Sequence, residues 1–509
     1  MAIGRTHAVS LLGLHGGIVE IEADITSNLP AFVLIGLPDA ALGEAKDRVR
    51  SAAMNSGCPL PGRKITVNLS PADLPKHGSG FDLAIALAAL GAAGVISAES
   101  IDRVVHLGEL GLDGRLRPIN GILPAVMAAA RAGFTSVMVP AGNASEAALV
   151  PGVRIISVAS LRDAAIWHGS TLEAMPVEVI ERASLPTHTE EPGDLADVIG
   201  NPAAIDAMLV SAAGGHHMFM IGPPGAGKTM LASRLPGLLP DLEPESALDV
   251  ASVRSLSGIA IGDSLSKRPP FEAPHHTATA ASLVGGGSGQ IRPGAASRAS
   301  DGVLFLDEAP EFSRTVLDAL RQPLESGKIT IHRANAVAHF PGRFQLVMAA
   351  NPCPCGQYGA RDSACTCPPI ARRRYLARLS GPLLDRIDIQ MTVQRITAAQ
   401  LRLSDTSSSL STMGARARVV SARAAARLRL ATTPWSLNSH VPGAWLRAPA
   451  TRLPTSVTGA LDRALERGGI TMRGYDRVLR LAWTIADLAG STTPSADHLG
   501  QALYLRQVM

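Results

Sequence analysis

Lys228 and Thr229 close the string GPPGAGKT at 222–229, which follows the apolar run His217 to Ile221 and precedes the helix-forming MLASRL. A strand, a glycine-rich loop and a helix in that order make a phosphate cradle. Gly222, Gly225 and Gly227 let backbone N–H groups converge on phosphate oxygens, and Pro223, Pro224 and Ala226 complete the loop. Lys228 offers a positive charge to the β- and γ-phosphates, Thr229 a hydroxyl to Mg2+, and the helix N-terminus a favourable dipole. Further on, GVLFLDE at 302–308 reads as a buried strand ending on two carboxylates. Asp307 suits the Mg2+ water shell and Glu308 suits polarising an attacking water. Asp307 and Glu308 read alone could simply cap the next segment, but with the glycine loop they imply a site for ATP and Mg2+.

Two further segments extend this chemistry. LVMAANP at 346–352 is a second buried strand, ending on Asn351, whose amide suits a γ-phosphate or a water. LSGPLLDRIDI at 379–389 carries Arg386, a residue type that stabilises charge in phosphoryl transfer when supplied by a neighbouring subunit. The plainer reading of Arg386 is an ion pair with Asp385 or Asp388.

Four of the five cysteines fall in one Pro- and Gly-rich stretch, as the pairs Cys353/Cys355 and Cys365/Cys367 with nine residues between the pairs. Four thiolates so placed suit one tetrahedral Zn2+, and free thiols in a loop are the alternative. Cys58 stands apart and reads as a small buried residue. His275 and His276 are adjacent, so on a strand or helix they would point apart and would not share an ion. GKITIHRANAVAHFPGRFQLV, from 327 to 347, reads as a hairpin with Ala334 and Asn335 near the tip. Lys328 and Arg333 are its candidates for nucleic-acid phosphates, against the alternative of an ordinary solvated hairpin. Two other basic runs, Arg372 to Arg374 and Arg416 to Arg429, could follow a DNA backbone, although few aromatics accompany them.

These residues need elements to hold them. Residues 1–175 alternate strand-type runs (18–22, 31–35, 65–69, 104–107, 136–139) with helical ones (40–56, 81–91, 123–132), an α/β pattern. Residues 176–193 are polar and Pro-bearing and read as a linker. Residues 194–395 alternate again, and 396–509 are Ala/Leu/Arg-rich with helical period, a helical lid. Within the lid, 405–413 is Ser/Thr-rich and reads as a flexible loop.

With 509 residues the chain has length for about two to four domains. The formal charge is only +4, so overall charge does not announce nucleic acid and any basic surface must be local. The apolar stretch from Leu83 to Ile96 is too short to cross a membrane and reads as a core helix. The N-terminal MAIGRTHAVS lacks an apolar leader, and the expected location is cytoplasmic.

With its motifs in this order, the chain resembles AAA+ ATPases of the helix-2-insert clade. It is similar above all to the YifB/ComM family of Mg-chelatase-like proteins, through APHHTATAASLVGGG (273–287), GVLFLDEAPEF (302–312), ANPCPCGQYG (350–359), LSGPLLDRID (379–388) and RVLRLAWTIADL (477–488). The resemblance implies a hexameric ring with ATP at subunit interfaces and a DNA helicase driving branch migration in recombination. By position it makes Asn351 sensor 1, Arg386 the arginine finger and Arg473 sensor 2, with Arg477 and Arg480 as alternatives on the same helix. The stretches 75–88 and 107–140 resemble the Lon-type protease fold (ribosomal S5 domain 2-like). Gly80 and Ala125 occupy the positions of that family's Ser/Lys dyad, with Ser79 displaced by one, which implies a non-catalytic module for assembly or DNA contact. Competing functions are a chelatase-like chaperone that remodels a partner protein and a regulatory ATPase whose ring is only a scaffold. The intact Lys228, Glu308 and Arg386 weigh against the scaffold.

Overall fold

The computed structural model describes residues 3–36, 43–72, 74, 76, 78–182, 193–287, 291–333, 336–359, 365–397 and 410–506. Its N-terminal part is built on a seven-stranded mixed sheet in the order Ala31–Ile35, Lys64–Ser70, His15–Thr26, Gly4–Leu12, Val105–His106, Ser136–Pro140 and Arg154–Val158. All five expected strands are present. The sequence reading missed Gly4–Leu12 and Arg154–Val158, two strands that mix polar with apolar residues without regular alternation and whose burial depends on the neighbours they pair with. The helix Asp82–Ala92 is buried from Asp82 through Gly91, as its apolar run requires, and it packs on the two longest strands. Among the described residues no helix is long and apolar enough to cross a membrane.

The second part is a parallel sheet of five strands, in the order Phe271–Glu272, Val303–Leu306, Gln345–Ala350, Met218–Ile221 and Ile389–Thr392. The three middle strands, VLFL, QLVMAA and MFMI, are buried at every position, the pattern expected when both faces are covered. Strand order matters more here than strand identity. It sets the C-terminal ends of the Met218, Gln345 and Val303 strands side by side, and in such sheets ligands bind outside those ends.

The helices Thr412–Arg429, Thr455–Glu466, Met472–Leu488 and Ala496–Tyr504 form the expected helical region, sharing one apolar core with the helix Pro202–Gly214. Most of the expected Ser/Thr-rich loop lies outside the described residues; its end is already helix, which Ser411 caps by accepting from Gly414 N. Residues 183–192 of the expected linker are likewise outside the described residues. Arg182, just before them, is tied to both parts, donating to Glu146, to Asn120 Oδ1 at 2.9 Å and to Ser255 O at 3.2 Å. The two parts also meet where Gly121 N donates to Ser255 O, and where the Gly13 turn abuts His339 of the hairpin.

Candidate nucleotide site

The phosphate loop leaves the Met218–Ile221 strand and enters the helix Lys228–Leu238. Gly225 and Gly227 sit at φ +75° and +87°, where L side chains are strained, yet a Cβ on either would meet no atom within 4 Å. The demand for glycine is therefore conformational, and the space above the loop stays open to a ligand. Lys228 Nζ donates to Gly222 O at 2.6 Å, to Pro223 O at 3.1 Å and to Asn351 Oδ1 at 3.3 Å. Burial pushes the Lys228 ammonium down from its ordinary pKa, and the charges of Asp307 and Glu308 oppose that shift.

Thr229 Oγ1 donates to Asp307 Oδ2 at 2.7 Å, so a hydroxyl and a carboxylate that suit Mg2+ already adjoin. Glu308 lies at φ +50°, a left-handed position rare outside glycine, and it turns the chain so that Glu308 N donates to Asp307 Oδ1 at 2.9 Å. Its carboxylate is held by His276, with Nδ1 3.2 Å from Oε2. The sequence reading missed that pair. It also expected His275 and His276 to diverge, whereas their ring centroids lie 4.1 Å apart, the rings tilted 33° to one another. The segment is neither strand nor helix, so neither periodicity applies to it.

Lys228, Thr229, Asp307, Glu308 and Asn351 thus converge. Arg386 and Arg473 do not join them. Asp388 N donates to His217 O, which places Arg386 before the start of the Met218–Ile221 strand while the phosphate loop follows its end. Four strand residues, roughly 13 Å, lie between. Arg386 pairs with neither Asp385 nor Asp388; it reaches Glu325 and Pro382 O instead. Asp385 faces Arg473 at 3.6 Å, so the two arginines share one end of the sheet. The alternatives to Arg473 are committed elsewhere. Arg477 pairs with the buried Asp388, and Arg480 Nε donates to Val441 O at 2.7 Å. Burial alone would raise the Asp388 carboxyl, but Arg477 and His216 overcome it and hold the group well below the usual carboxylate range.

The expected hairpin is present as Lys328–Arg333 paired antiparallel with Ala336–Pro341, its tip at 334–335 lying outside the described residues. Lys328 and Arg333 are exposed but stand at opposite ends of one strand, roughly 16 Å apart, so they cannot share one phosphate. Arg333 lies next to Gly286, on a short ribbon where Gly285–Gly286 pairs with Arg292–Pro293. The ribbon and the hairpin therefore adjoin. The basic run 416–429 is largely taken up by the fold, since Arg416 pairs with Asp241, Arg423 caps Ala212 O, and Arg429 pairs with Asp487 and lies over Trp483.

The four cysteine sulfurs all lie within 4.8 Å of one another. Cys353 is buried and the others reach solvent. The backbone N–H of Gln357 and the neighbouring thiols hold Cys355 down at about 7, while Cys365 is pushed up to about 11 and Cys367 upward, in part by that neighbour. In the N-terminal part Ser79 donates to Glu109, and the buried Lys76 donates to Gly36 O and Pro71 O.

Three family models match in chain order. "Subunit ChlI of Mg-chelatase" matches residues 21–143, "Magnesium chelatase, subunit ChlI" residues 194–401, and "Magnesium chelatase, subunit ChlI C-terminal" residues 409–506. An uncharacterized protein of Mycobacterium tuberculosis H37Rv is 49% identical over 509 residues, covering 100% of this chain and 99% of its own. Competence protein ComM of Haemophilus influenzae is 39% identical over 510 residues, and YifB of Escherichia coli K12 is 39% identical over 516, each covering 100% of this chain and 98% of its own. The likeness to Lon protease is partial, 26% identity over 216 residues of the Salinispora arenicola protein and 24% of its length. Matched end to end by such relatives, and carrying a phosphate loop and paired carboxylates on a parallel sheet, the chain belongs to the YifB/ComM family of Mg-chelatase-like AAA+ proteins.

Proposed function

We propose that this chain is an ATP-hydrolysing ring motor, a DNA translocase or helicase that promotes branch migration during recombination or uptake of DNA. The observation that carries the reading is the division of the site: Lys228, Thr229, Asp307, Glu308 and Asn351 at one end of the sheet, Arg386 and Arg473 at the other. Neither Arg386 nor Arg473 reaches the phosphate loop of its own chain, and a ring, six-membered as in the family, would supply them from the next subunit. Thr229 and Asp307 would hold Mg2+, which supplies charge neutralisation at the phosphates. Lys228 would hold the β- and γ-phosphates, Glu308 would orient and polarise the water, and Asn351 would sense the γ-phosphate. Lys328 and Arg333 would each meet a different phosphate of DNA, and the N-terminal module would serve assembly or DNA contact without peptidase chemistry. The four cysteines would hold one structural Zn2+ as thiolates.

The test is ATPase activity of the purified protein alone and with single-stranded, double-stranded and branched DNA, followed by strand displacement on the branched substrate. Stimulation by branched DNA with strand exchange is the expected result. ATP hydrolysis indifferent to every DNA would sink the motor and favour the alternative of a chelatase-like chaperone that remodels a partner protein.

A further inference from the structure

The cysteine segment begins two residues after Asn351 and folds back over the phosphate loop. Gly356 N donates to Cys353 O at 2.9 Å, closing a turn in which Gly356 sits at φ +76°. A Cβ on Gly356 would stand 2.7 Å from Pro224 Cγ and 3.8 Å from Asn351 Cγ, so the turn rests on the loop with no room to spare. Arg395 bridges the same two pieces, with Nε donating to Pro224 O at 3.0 Å and Nη2 to Gln357 Oε1 at 3.5 Å. Behind them the Arg372 guanidinium lies 3.8 Å from the centre of the Tyr358 ring, fastening the segment to the helix Pro369–Leu376.

The sulfurs are spaced as a metal would space them. Sγ separations are 3.4 Å for Cys353–Cys355, 3.8 Å for Cys353–Cys365 and 3.6 Å for Cys355–Cys365. A tetrahedron of thiolates with Zn–S near 2.3 Å has edges of about 3.8 Å. The segment has few apolar side chains to hold its turn against the phosphate loop, and a crosslink between residues 353–355 and 365–367 removes the chain entropy that would loosen it.

We infer that the metal-loaded cysteine knuckle braces the phosphate loop, so that ATP affinity depends on whether Zn2+ is bound. The inference rests on the zinc reading above and adds a regulatory consequence to it. With Zn2+ bound, Gly356 stays seated on Pro224, Gln357 stays within reach of Arg395, and the Lys228–Asn351 pairing keeps its geometry. Without it the turn lifts, and the loop must be ordered by the nucleotide itself.

The experiment measures zinc per chain by elemental analysis and ATP affinity by titration with a fluorescent ATP analogue in Mg2+, on the full chain as purified, after chelation and desalting, and after adding Zn2+ back. The parent should carry about one zinc per chain. Stripping it should weaken nucleotide binding about 5- to 50-fold, reversibly, the size of an ordinary coupling between two sites. Cys355→Ser with Cys365→Ser should bind like the stripped parent and gain nothing from Zn2+. Arg395→Ala leaves all four thiols in place, so it should keep its zinc, bind ATP more weakly and respond little to stripping. That variant and the reversible stripping decide the matter even if the cysteine variants fail to fold. A stoichiometric zinc whose removal leaves ATP affinity unchanged overturns the brace and leaves the zinc site standing. A folded protein that neither carries nor takes up zinc overturns both.

Discussion

Lys228 Nζ lies 3.3 Å from Asn351 Oδ1, joining the phosphate loop to the end of the neighbouring strand across 123 positions of chain. The strand register puts them there, because Ile221, the last strand residue before the phosphate loop, pairs with Ala350, the last before Asn351. Asp307 joins them from the third strand, through Thr229.

Lys228→Ala should abolish binding of a fluorescent ATP analogue, because no other described side chain of the loop brings positive charge to the phosphates. Glu308→Gln should bind the analogue normally while phosphate release falls by about 100-fold or more, the usual scale for losing a positioned base. Normal turnover by Glu308→Gln would remove Glu308 from its proposed role.

Arg386→Ala and Arg473→Ala should each lower hydrolysis with little change in nucleotide binding, Arg386 by roughly 1,000-fold if it acts as a finger. Neither arginine reaches its own phosphate loop, so mixing Arg386→Ala with Lys228→Ala chains should restore part of the activity at interfaces that combine two intact halves. Mixtures no more active than their components would argue against action between subunits.

Lys328→Ala with Arg333→Ala should leave basal ATPase near the parent's, since neither touches the nucleotide site, and should remove stimulation by DNA. Phosphate contacts release counterions, so each lost contact should flatten the plot of log affinity against log salt by about 0.7 to 0.9. DNA binding with an unchanged salt slope would release these two residues from the role.

Arg477→Ala strands the carboxylate of Asp388 in the core beside His216, and should destabilise the protein by about 3–5 kcal/mol. Arg473→Ala breaks an exposed pair of the same chemistry and should cost less than about 1 kcal/mol. Denaturant titration of the two variants distinguishes them, and equal losses would contradict the difference in burial.

His217 is partly buried, and its Nδ1 accepts from Leu346 N at 3.0 Å; desolvation holds the imidazole down at about 4, against an ordinary 6.5. The unfolded chain takes up this proton first as pH falls. The associated stability is therefore complete above about pH 6.5 and lost progressively as pH drops through 4, on the order of 2–3 kcal/mol in all. Denaturant titrations between pH 7.5 and 4 should show that decline, and His217→Gln should flatten it.

Much of the site was legible because its chemistry is local. The loop 222–229, the paired carboxylates 307–308 and the strand ending at Asn351 are each contiguous strings whose backbone shape and side-chain types are set within a few residues. The same holds for the buried helix Asp82–Ala92 and for the hairpin, which take their form from apolar period and turn residues. Tertiary structure alone decided which strings adjoin. Parallel pairing of strands distant in sequence brought Lys228 to Asn351 and sent Arg386 and Arg473 to the far end. Arg477 then took Asp388 inside the core, while Arg386 met Glu325 and His276 met Glu308 nearer the surface. Local sequence carries the preferences of a segment, whereas these pairings follow from the order in which strands stack and from the desolvation of charges that must be matched once they do.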